Sequence, residues 1–290
     1  MRYYQLAEQG HVQRFVVETD EGVFDLTSAH PGITEFSELA QAASVSGASM
    51  AELTRRQIDS ADTVPSRALV EDRLLPLVPD EIWAAGVTYE ISEEARKSES
   101  SMAEVYIDVY DADRPEIFFK ATPSRTVGPD EAVGIRGDSD WNVPEPELAV
   151  VLYRGEIVGY TVGNDVSSRS IEGRNPLYLP QAKIYDRCCS IGPCVVAAES
   201  IENPHDLRMS MEIARSGETV FSESTSTAEM VRTDEELVHY FTAHNAVPEL
   251  AVLMTGTSLV PPQEFTLAEG DVVSIDIEDI GTLVNPVVDV

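Results

Sequence analysis

Two glutamates in the middle of the chain stand at a spacing that could hold a cation. Glu145 and Glu147 are two residues apart, and side chains two apart in an extended strand point to the same side. The apolar run 148–152 follows them and is typical of a buried strand. Because two carboxylates on one face repel each other, the pair predicts either a cation between them or two solvated side chains.

A second strand should bring a third carboxylate to the pair. The residues 156–162 favour a strand and follow a short Arg-Gly turn, so we expect them to return antiparallel and to deliver Asp165 to the same end. Three oxygen donors without sulfur or nitrogen fit Mg²⁺, and also Mn²⁺ or Ca²⁺, rather than zinc. Prolines fix the backbone on both sides of Glu145, which favours a metal site over a mobile acidic loop.

Two lysines are further candidates for chemistry. In a strand over 116–121, Glu116 and Lys120 would share one face, so an acid and an amine could project into one pocket; the alternative is a salt bridge on a sheet surface. Lys183 follows a loop rich in Ser, Arg, Asn and Pro, the kind of segment that closes on a ligand. There it could neutralise an anionic substrate, have a pKa lowered by burial, or lie on the surface.

The charge balance limits the classes of partner. The chain has 51 acidic and 20 basic residues and a net charge of −31, which argues against nucleic-acid binding because phosphates would be repelled. Only three basic residues are lysines. An acidic surface with few lysines is typical of a cytosol at molar salt, where charges are screened over roughly 3 Å. We therefore expect loss of structure in low salt.

The cysteines and the first residues of the sequence predict a cellular compartment. The three cysteines form no Cys-x-x-Cys pair, which favours buried free thiols in a reducing cytoplasm. The first residues are unlike a signal peptide, and no apolar run approaches 18 residues. We expect a soluble cytoplasmic protein with no membrane partner.

The strand and helix patterns divide the chain near residue 78, where prolines interrupt it. Residues 1–78 predict a small α+β domain, in which Thr34 caps a helix that reaches Leu53. Residues 79–290 predict mainly strands, and a capping box at 233–236 opens a helix. The predicted fold class is mainly β with α, an α+β protein.

Several segments, taken in order, resemble the fumarylacetoacetate hydrolase superfamily. They are Glu145-Pro146-Glu147, 159–167, Lys183 before Ile191-Gly192-Pro193, Thr255-Gly256-Thr257 and 280–286. The resemblance covers roughly residues 80–290 and implies a mixed β-roll. It also implies that Glu145, Glu147 and Asp165 bind Mg²⁺, that Lys183 contacts the substrate, and that the protein is a homodimer or homotetramer.

One departure indicates a branch of the superfamily. Hydrolases of the family have a His-Glu pair that activates water after the segment matching Gly86, whereas residues 88–94 here contain no histidine. Residues 86–92 and 114–122 resemble instead the 2-keto-3-deoxy-pentonate dehydratases. That resemblance implies a 2-keto sugar acid as substrate and 2-oxoglutarate semialdehyde as product. The candidates for proton transfer are Glu116 and Lys183; those for substrate binding are Ser92, Lys183 and Thr282.

Other functions share these residues. An acylpyruvate hydrolase, an oxaloacetate-type decarboxylase or a dienoate hydratase would use the same three metal ligands. A different class of enzyme would form a Schiff base through Lys183. A non-catalytic acidic protein would hold a structural Ca²⁺, but such an ion needs neither Glu116 nor Lys183.

Overall fold

The computed structural model describes residues 1–7, 13–89, 109 and 112–290, which form mostly strands. The strands are β1 (Arg2–Ala7), β2 (Gln13–Thr19), β3 (Gly22–Asp25), β4 (Asp62–Thr63), β5 (Glu81–Gly86), β6 (Glu116–Ala121), β7 (Thr126–Val127), β8 (Val133–Ile135), β9 (Asn142–Val143), β10 (Pro146–Tyr153), β11 (Glu156–Asp165), β12 (Ser167–Ser168), β13 (Cys189–Ala197), β14 (Arg208–Arg215), β15 (Glu218–Ser226), β16 (Leu250–Met254), β17 (Val272–Ile277) and β18 (Gly281–Asp289). The α-helices are α1 (Leu26–Ala29), α2 (Phe36–Ser46), α3 (Met50–Ile58), α4 (Ala68–Glu71), α5 (Arg169–Glu172), α6 (Leu179–Lys183) and α7 (Asp234–Thr242). Short 3₁₀ helices lie at Pro123–Arg125, Pro176–Tyr178, Ala198–Ser200 and Thr227–Glu229. This content confirms the predicted mainly β, α+β class.

One large sheet contains the strands with the candidate ligands. Its order is β4-β3-β2-β1-β13-β11-β10-β16-β5-β6, and β7 pairs with β13. A second sheet has the order β15-β14-β17-β18-β8, and β9 pairs with β12. Strands β10 and β11 are antiparallel, as predicted from the turn between them, whereas β16 and β5 are parallel. The ligand strands therefore lie inside the large sheet and not at its edge.

Strand β10 is buried on both faces. Leu148 and Val150 point into one apolar cluster, while Ala149 and Val151 point into another. Each large apolar side chain buried in this way stabilises the fold by about 1.5–3 kcal/mol relative to its exposed state. The strand is consequently a rigid base for the acidic residues at its start.

The leading segment joins the same sheet as the rest of the chain. Strand β1 pairs with β13, with Tyr3 opposite Val195. A domain boundary at residue 78 stays a prediction, since β1 to β4 extend the large sheet. Among the described residues, no helix is both long and apolar enough to cross a membrane.

The predicted helix from Thr34 to Leu53 is wrong as a single helix. Helix α2 ends at Ser46, and Gly47 follows with a φ of 70°, a left-handed conformation that glycine adopts at little cost. Helix α3 then begins with its own cap, the Ser49 side chain, which accepts a hydrogen bond from the Glu52 N–H. The glycine therefore splits one amphipathic pattern into two helices.

Candidate metal and 2-keto-acid site

The hairpin of β10 and β11 brings three carboxylates together, as the sequence predicts. Glu147 lies opposite Gly163, and the Asp165 N–H donates a 2.9 Å hydrogen bond to the Glu145 carbonyl. Oxygens of Glu145, Glu147 and Asp165 lie within 4.8 Å of one another, and all three residues are at most 3 % exposed. Three buried hard oxygen donors suit an ion such as Mg²⁺, Mn²⁺ or Ca²⁺.

A second group of ionisable side chains is a poorer metal site. His205, Asp234 and Glu235 also lie within ligand distance of one another. The Asp234 carboxylate already accepts 2.7 Å hydrogen bonds from Tyr160 and pairs with His205, while the Glu235 side chain is 70 % exposed. The buried cluster on the hairpin is therefore the candidate.

Two ammonium groups neutralise part of the negative charge. Lys183, the last residue of α6, donates to Glu145 and lies 2.9 Å from Asp165 Oδ2. Lys120 of β6 contacts the other oxygen of Asp165, with Nζ 2.6 Å from Oδ1. Lys120 and Lys183 are both buried. Buried charges are stable only when they are paired, so these contacts lower the free-energy cost of burying the three carboxylates.

Glu147 is fixed by the main chain. Its Oε2 accepts a 2.6 Å hydrogen bond from the Gly256 N–H, in the segment after β16. Gly256 has a φ of 85°, and a Cβ there would lie 2.1 Å from Thr88 Oγ1 and 2.9 Å from the Ala85 carbonyl oxygen. The Thr88 hydroxyl in turn donates to the Thr255 carbonyl at 2.6 Å. Only a glycine fits this close approach of two chain segments.

The electrostatics of the cluster favour a further cation. Burial, followed by the negative charges of Asp165 and Glu145, raises the pKa of Glu147 well above its usual value, although Lys183 and the Gly256 N–H oppose the change. Burial is the largest single influence on the pKa of Lys120 and lowers it, but the nearby negative groups, Asp165 foremost, together exceed that effect and raise the pKa. A divalent ion beside Glu147 would relieve the repulsion between the carboxylates, so the donor set fits a bound metal.

Arg169 adds a guanidinium that sequence reasoning missed. It begins helix α5, and its Nη1 lies 3.6 Å from Glu145 Oε1 and 3.2 Å from Glu172 Oε2. Its side chain is only 3 % exposed. The available signal was an arginine four residues after Asp165, in a segment already expected to cover the site. The strand pattern predicts that Lys120 shares a face with Glu116, but it does not predict the contact with Asp165.

A narrow cavity opens among these side chains. Its described lining comprises Ala85, Gly86, Val87, Phe118, Glu145, Glu147, Asp165, Arg169, Lys183, Gly256, Thr257 and Val260. About 20 Å³ of the cavity can take the centre of a water molecule, which is room for one water or ion. The Thr255-Gly256-Thr257 segment thus lies at the site. In the sequence, only the family resemblance singles out this segment.

The remaining predicted residues differ in their outcome. Glu116 pairs with Gly86 across β5 and β6, and its carboxylate covers that glycine, which lines the cavity. The structure does not bring Thr282 to the cluster, because it lies exposed on β18 and donates to Asp276 Oδ2 at 2.7 Å. Ser92 lies outside the described residues.

Known proteins with similar sequences bear on this geometry. The sequence model described as Fumarylacetoacetate (FAA) hydrolase C-terminal matches residues 81–288. A probable 2-keto-3-deoxyxylonate dehydratase of Haloferax volcanii is 61 % identical over 287 residues, which is 99 % of each chain. The 2-dehydro-3-deoxy-D-arabinonate dehydratase of Saccharolobus solfataricus is 48 % identical over 218 residues, which is 73 % of each chain.

Solved structures agree with the fold. The apo form of 2-keto-3-deoxy-D-arabinonate dehydratase aligns with a TM-score of 0.86 and 35 % identity, over 100 % of this chain and 99 % of that one. The same-named enzyme complexed with magnesium and 2,5-dioxopentanoate aligns with a TM-score of 0.85 and 34 % identity, over the same shares. The fold expected from the resemblance is thereby confirmed.

Proposed function

This chain belongs to the fumarylacetoacetate hydrolase family, and from that membership we propose that it is a Mg²⁺-dependent dehydratase of 2-keto-3-deoxy-pentonates. Its product would be 2-oxoglutarate semialdehyde, also called 2,5-dioxopentanoate. The buried cluster of Glu145, Glu147 and Asp165, with Lys183 beside it, carries the proposal of metal-dependent chemistry on a 2-keto acid. Dehydration is proposed over the other reactions that share this cluster because two dehydratases are 61 % and 48 % identical to this chain.

The carboxylates and the metal would divide the work of binding and activation. Glu145, Glu147 and Asp165 would hold the ion. A Mg²⁺ ion, when bound, acts as a Lewis acid on the carboxylate and 2-keto oxygens of a 2-keto acid and so makes the C3 proton easier to remove. Lys183 and Arg169 border the same cavity and supply positive charge for a substrate carboxylate.

The reaction requires several proton transfers. A proton leaves C3 while the C4 hydroxyl takes up a proton and departs as water, which forms a C3–C4 double bond. A proton then leaves C5 and another is added at C3, and the resulting C4–C5 enol rearranges to the aldehyde. Glu116 and Lys183 are the proposed proton carriers, since one lies against cavity residue Gly86 and the other lines the cavity.

The substrate hydroxyls need hydrogen-bond partners as well. Ser92 remains a proposed partner on the resemblance alone. The proposal leaves out Thr282, because its hydroxyl is exposed and engaged with Asp276. Thr257 lines the cavity beside Glu147 and is the better placed threonine.

We also propose a cytoplasmic homo-oligomer that is adapted to high salt and binds no nucleic acid. The net charge of −31 and the scarcity of lysine support the salt adaptation and oppose nucleic-acid binding. Three buried free cysteines support a reducing compartment. The dimer or tetramer rests on the family resemblance.

Incubation with defined substrates would test the activity. The purified protein in molar KCl with Mg²⁺ should convert 2-keto-3-deoxy-pentonates to 2-oxoglutarate semialdehyde, detected by NMR. Oxaloacetate, an acylpyruvate and a dienoate in parallel reactions should be turned over far more slowly. Turnover of one of those three with no pentonate turnover would replace the proposal by the corresponding alternative.

Ligand variants and chelation would test the role of the metal. Glu145→Gln and Glu147→Gln should lose Mg²⁺ binding and turnover while their circular dichroism stays unchanged, because each removes one of three ligands. Glu223→Gln, on the exposed strand β15, is the matched control and should behave as the parent protein. A chelator should abolish turnover, and borohydride with a 2-keto acid should trap no adduct. Trapping at Lys183 would instead establish the Schiff-base route.

A further inference from the structure

Lys120 has no part in the proposed reaction, yet its ammonium is among the most completely enclosed groups in the protein. The residue is 0 % exposed. Its Nζ lies 2.6 Å from Asp165 Oδ1, 3.0 Å from the Val166 carbonyl oxygen and 2.5 Å from the Lys183 carbonyl oxygen. The two carbonyl oxygens accept hydrogen bonds from the ammonium, and the Asp165 carboxylate pairs with its charge.

The two lysines beside Asp165 differ in how they are held. The described polar contacts of the Lys183 ammonium are the carboxylates of Glu145 and Asp165, and the side chain borders the cavity. A divalent ion would compete with Lys183 for the same oxygens and could displace it into the cavity. Lys120 could not follow, because it would have to leave two main-chain carbonyls and enter the core.

This difference favours Oδ2 of Asp165 as the oxygen for a metal. Its Oδ1 pairs with Lys120, which is held by two carbonyls, whereas Oδ2 pairs with Lys183, which borders the cavity. Glu147 is similarly engaged through one oxygen, because its Oε2 accepts from the Gly256 N–H. Mg²⁺ takes six ligands in an octahedron, usually one oxygen from each carboxylate, whereas Ca²⁺ takes six to eight and often two from one carboxylate.

We propose that Lys120 is a positioning residue that restricts Asp165 to one-oxygen coordination and thereby selects a small octahedral ion over Ca²⁺. The inference rests on the proposed function, since it concerns the metal of that same site. Lys120 also holds the carbonyl of Lys183, so it ties a metal ligand to a substrate-contacting lysine across β6, β11 and α6.

Binding of the two ions alone, without substrate, would test this role. In Lys120→Met, Mg²⁺ affinity measured by calorimetry should fall about 10- to 100-fold, as for other residues that orient a ligand. Ca²⁺ affinity should fall far less, because the freed Oδ1 can serve as a second ligand. The ratio of Ca²⁺ to Mg²⁺ affinity should therefore rise about tenfold. A ratio equal to that of the parent protein would overturn the inference.

A control variant separates this effect from the general loss of a cation paired with a buried aspartate. Arg215 pairs through two atoms with the 0 % exposed Asp271, at 2.7 and 2.8 Å, and donates to the Thr266 carbonyl. Arg215→Met should lower the melting temperature but leave both metal affinities unchanged. A change in its Ca²⁺ to Mg²⁺ ratio equal to that of Lys120→Met would count against a role of Lys120 at the site.

Infrared spectroscopy of the parent protein provides a test that needs no variant. Asp165 is the single aspartate among the three proposed ligands. Labelling with ¹³C-aspartate therefore identifies its carboxylate bands in the difference between the spectrum with Mg²⁺ and the spectrum with a chelator. A wide splitting of the carboxylate stretches, typical of one-oxygen coordination, is expected, and a narrow splitting typical of two-oxygen coordination would overturn the inference. If the parent protein bound no Mg²⁺, the proposed function would be refuted as well. If it bound Mg²⁺ normally but showed a narrow splitting, only the proposed role of Lys120 in metal selection would be refuted.

Discussion

Lys183 Nζ lies 2.9 Å from Asp165 Oδ2, so the lysine proposed to contact the substrate occupies an oxygen that a metal would use. The same ammonium donates to Glu145. Lys183 and a divalent ion are therefore competitors for one pair of carboxylates. Removal of the lysine should therefore strengthen metal binding but slow turnover.

Lys183→Met should bind Mg²⁺ more tightly than the parent protein, because no ammonium has to be displaced. Its kcat/KM should fall about 100-fold or more, since a proton carrier and a partner for the substrate carboxylate are both lost. Calorimetry and steady-state kinetics measure the two effects separately. Lys183→Arg keeps the charge and should show parental Mg²⁺ affinity with low turnover. Weaker Mg²⁺ binding by Lys183→Met would mean that the lysine organises the ligands instead of competing.

Gly86→Ala should act through Glu116. A Cβ on Gly86 would lie 2.0 Å from Glu116 Oε2, so the carboxylate would have to move. If Glu116 carries a proton, kcat should fall about 100-fold while Mg²⁺ affinity is unchanged. Gly137→Ala, whose Cβ would meet only an ordinary 3.7 Å contact, is the control and should keep full activity.

The two positions should also be coupled. Adding Gly86→Ala to Glu116→Gln should cost little beyond the single Glu116→Gln change, because both act on one group. Additive losses in kcat would show that the alanine harms the site by another route, such as narrowing the cavity. The measurement is a double-mutant cycle on kcat.

Removal of salt should destabilise the protein. At a net charge of −31, lowering the salt from about 1 M to about 0.01 M lengthens the screening distance from roughly 3 Å to roughly 30 Å. The carboxylates then repel one another across the surface, and we expect the melting temperature to drop by roughly 10 °C or more. Sucrose in place of KCl should restore much less of it, because sucrose stabilises only through exclusion from the protein surface and screens no charge. A melting curve indifferent to salt would contradict the adaptation.

The cysteines should be unreactive in the folded protein near neutral pH. Burial raises the pKa of Cys194 to about 12, and it also raises the pKa of Cys189 well above its usual value. The pKa of such a thiol is higher in the folded state than in the unfolded state. Its contribution to stability is complete at a pH below the pKa of the unfolded state, and it is lost as the pH rises toward 12. Titration with a thiol reagent at pH 8 should detect no fast-reacting thiol in the folded state and three in guanidinium. Fast reaction of Cys194 in the folded protein would contradict its burial.

The sequence by itself was enough to predict the carboxylate cluster, because the geometry of that cluster is local. Two glutamates two apart before an apolar run, and an aspartate at the end of the returning strand, need only strand geometry and one tight turn to meet. The Thr233 cap of helix α7 was predictable for the same reason, since its partner is the Glu236 N–H one turn away. The helix expected to run to Leu53 failed where Gly47 outweighed the apolar pattern.

Only the tertiary structure decided which distant groups complete the site. Lys120, Arg169 and the Gly256 N–H reach the carboxylates through the pairing of β5 with β6 and β16, and through the packing of α5 against β9 and of α6 against β6 and β12. Such contacts depend on how separate elements pair and pack, which no local spacing encodes. In the same way, the fold placed Thr282 on the exposed face of β18 and Glu116 over Gly86. Side-chain chemistry and strand period thus determined which acids meet, and the long-range pairing of strands decided which cations meet them.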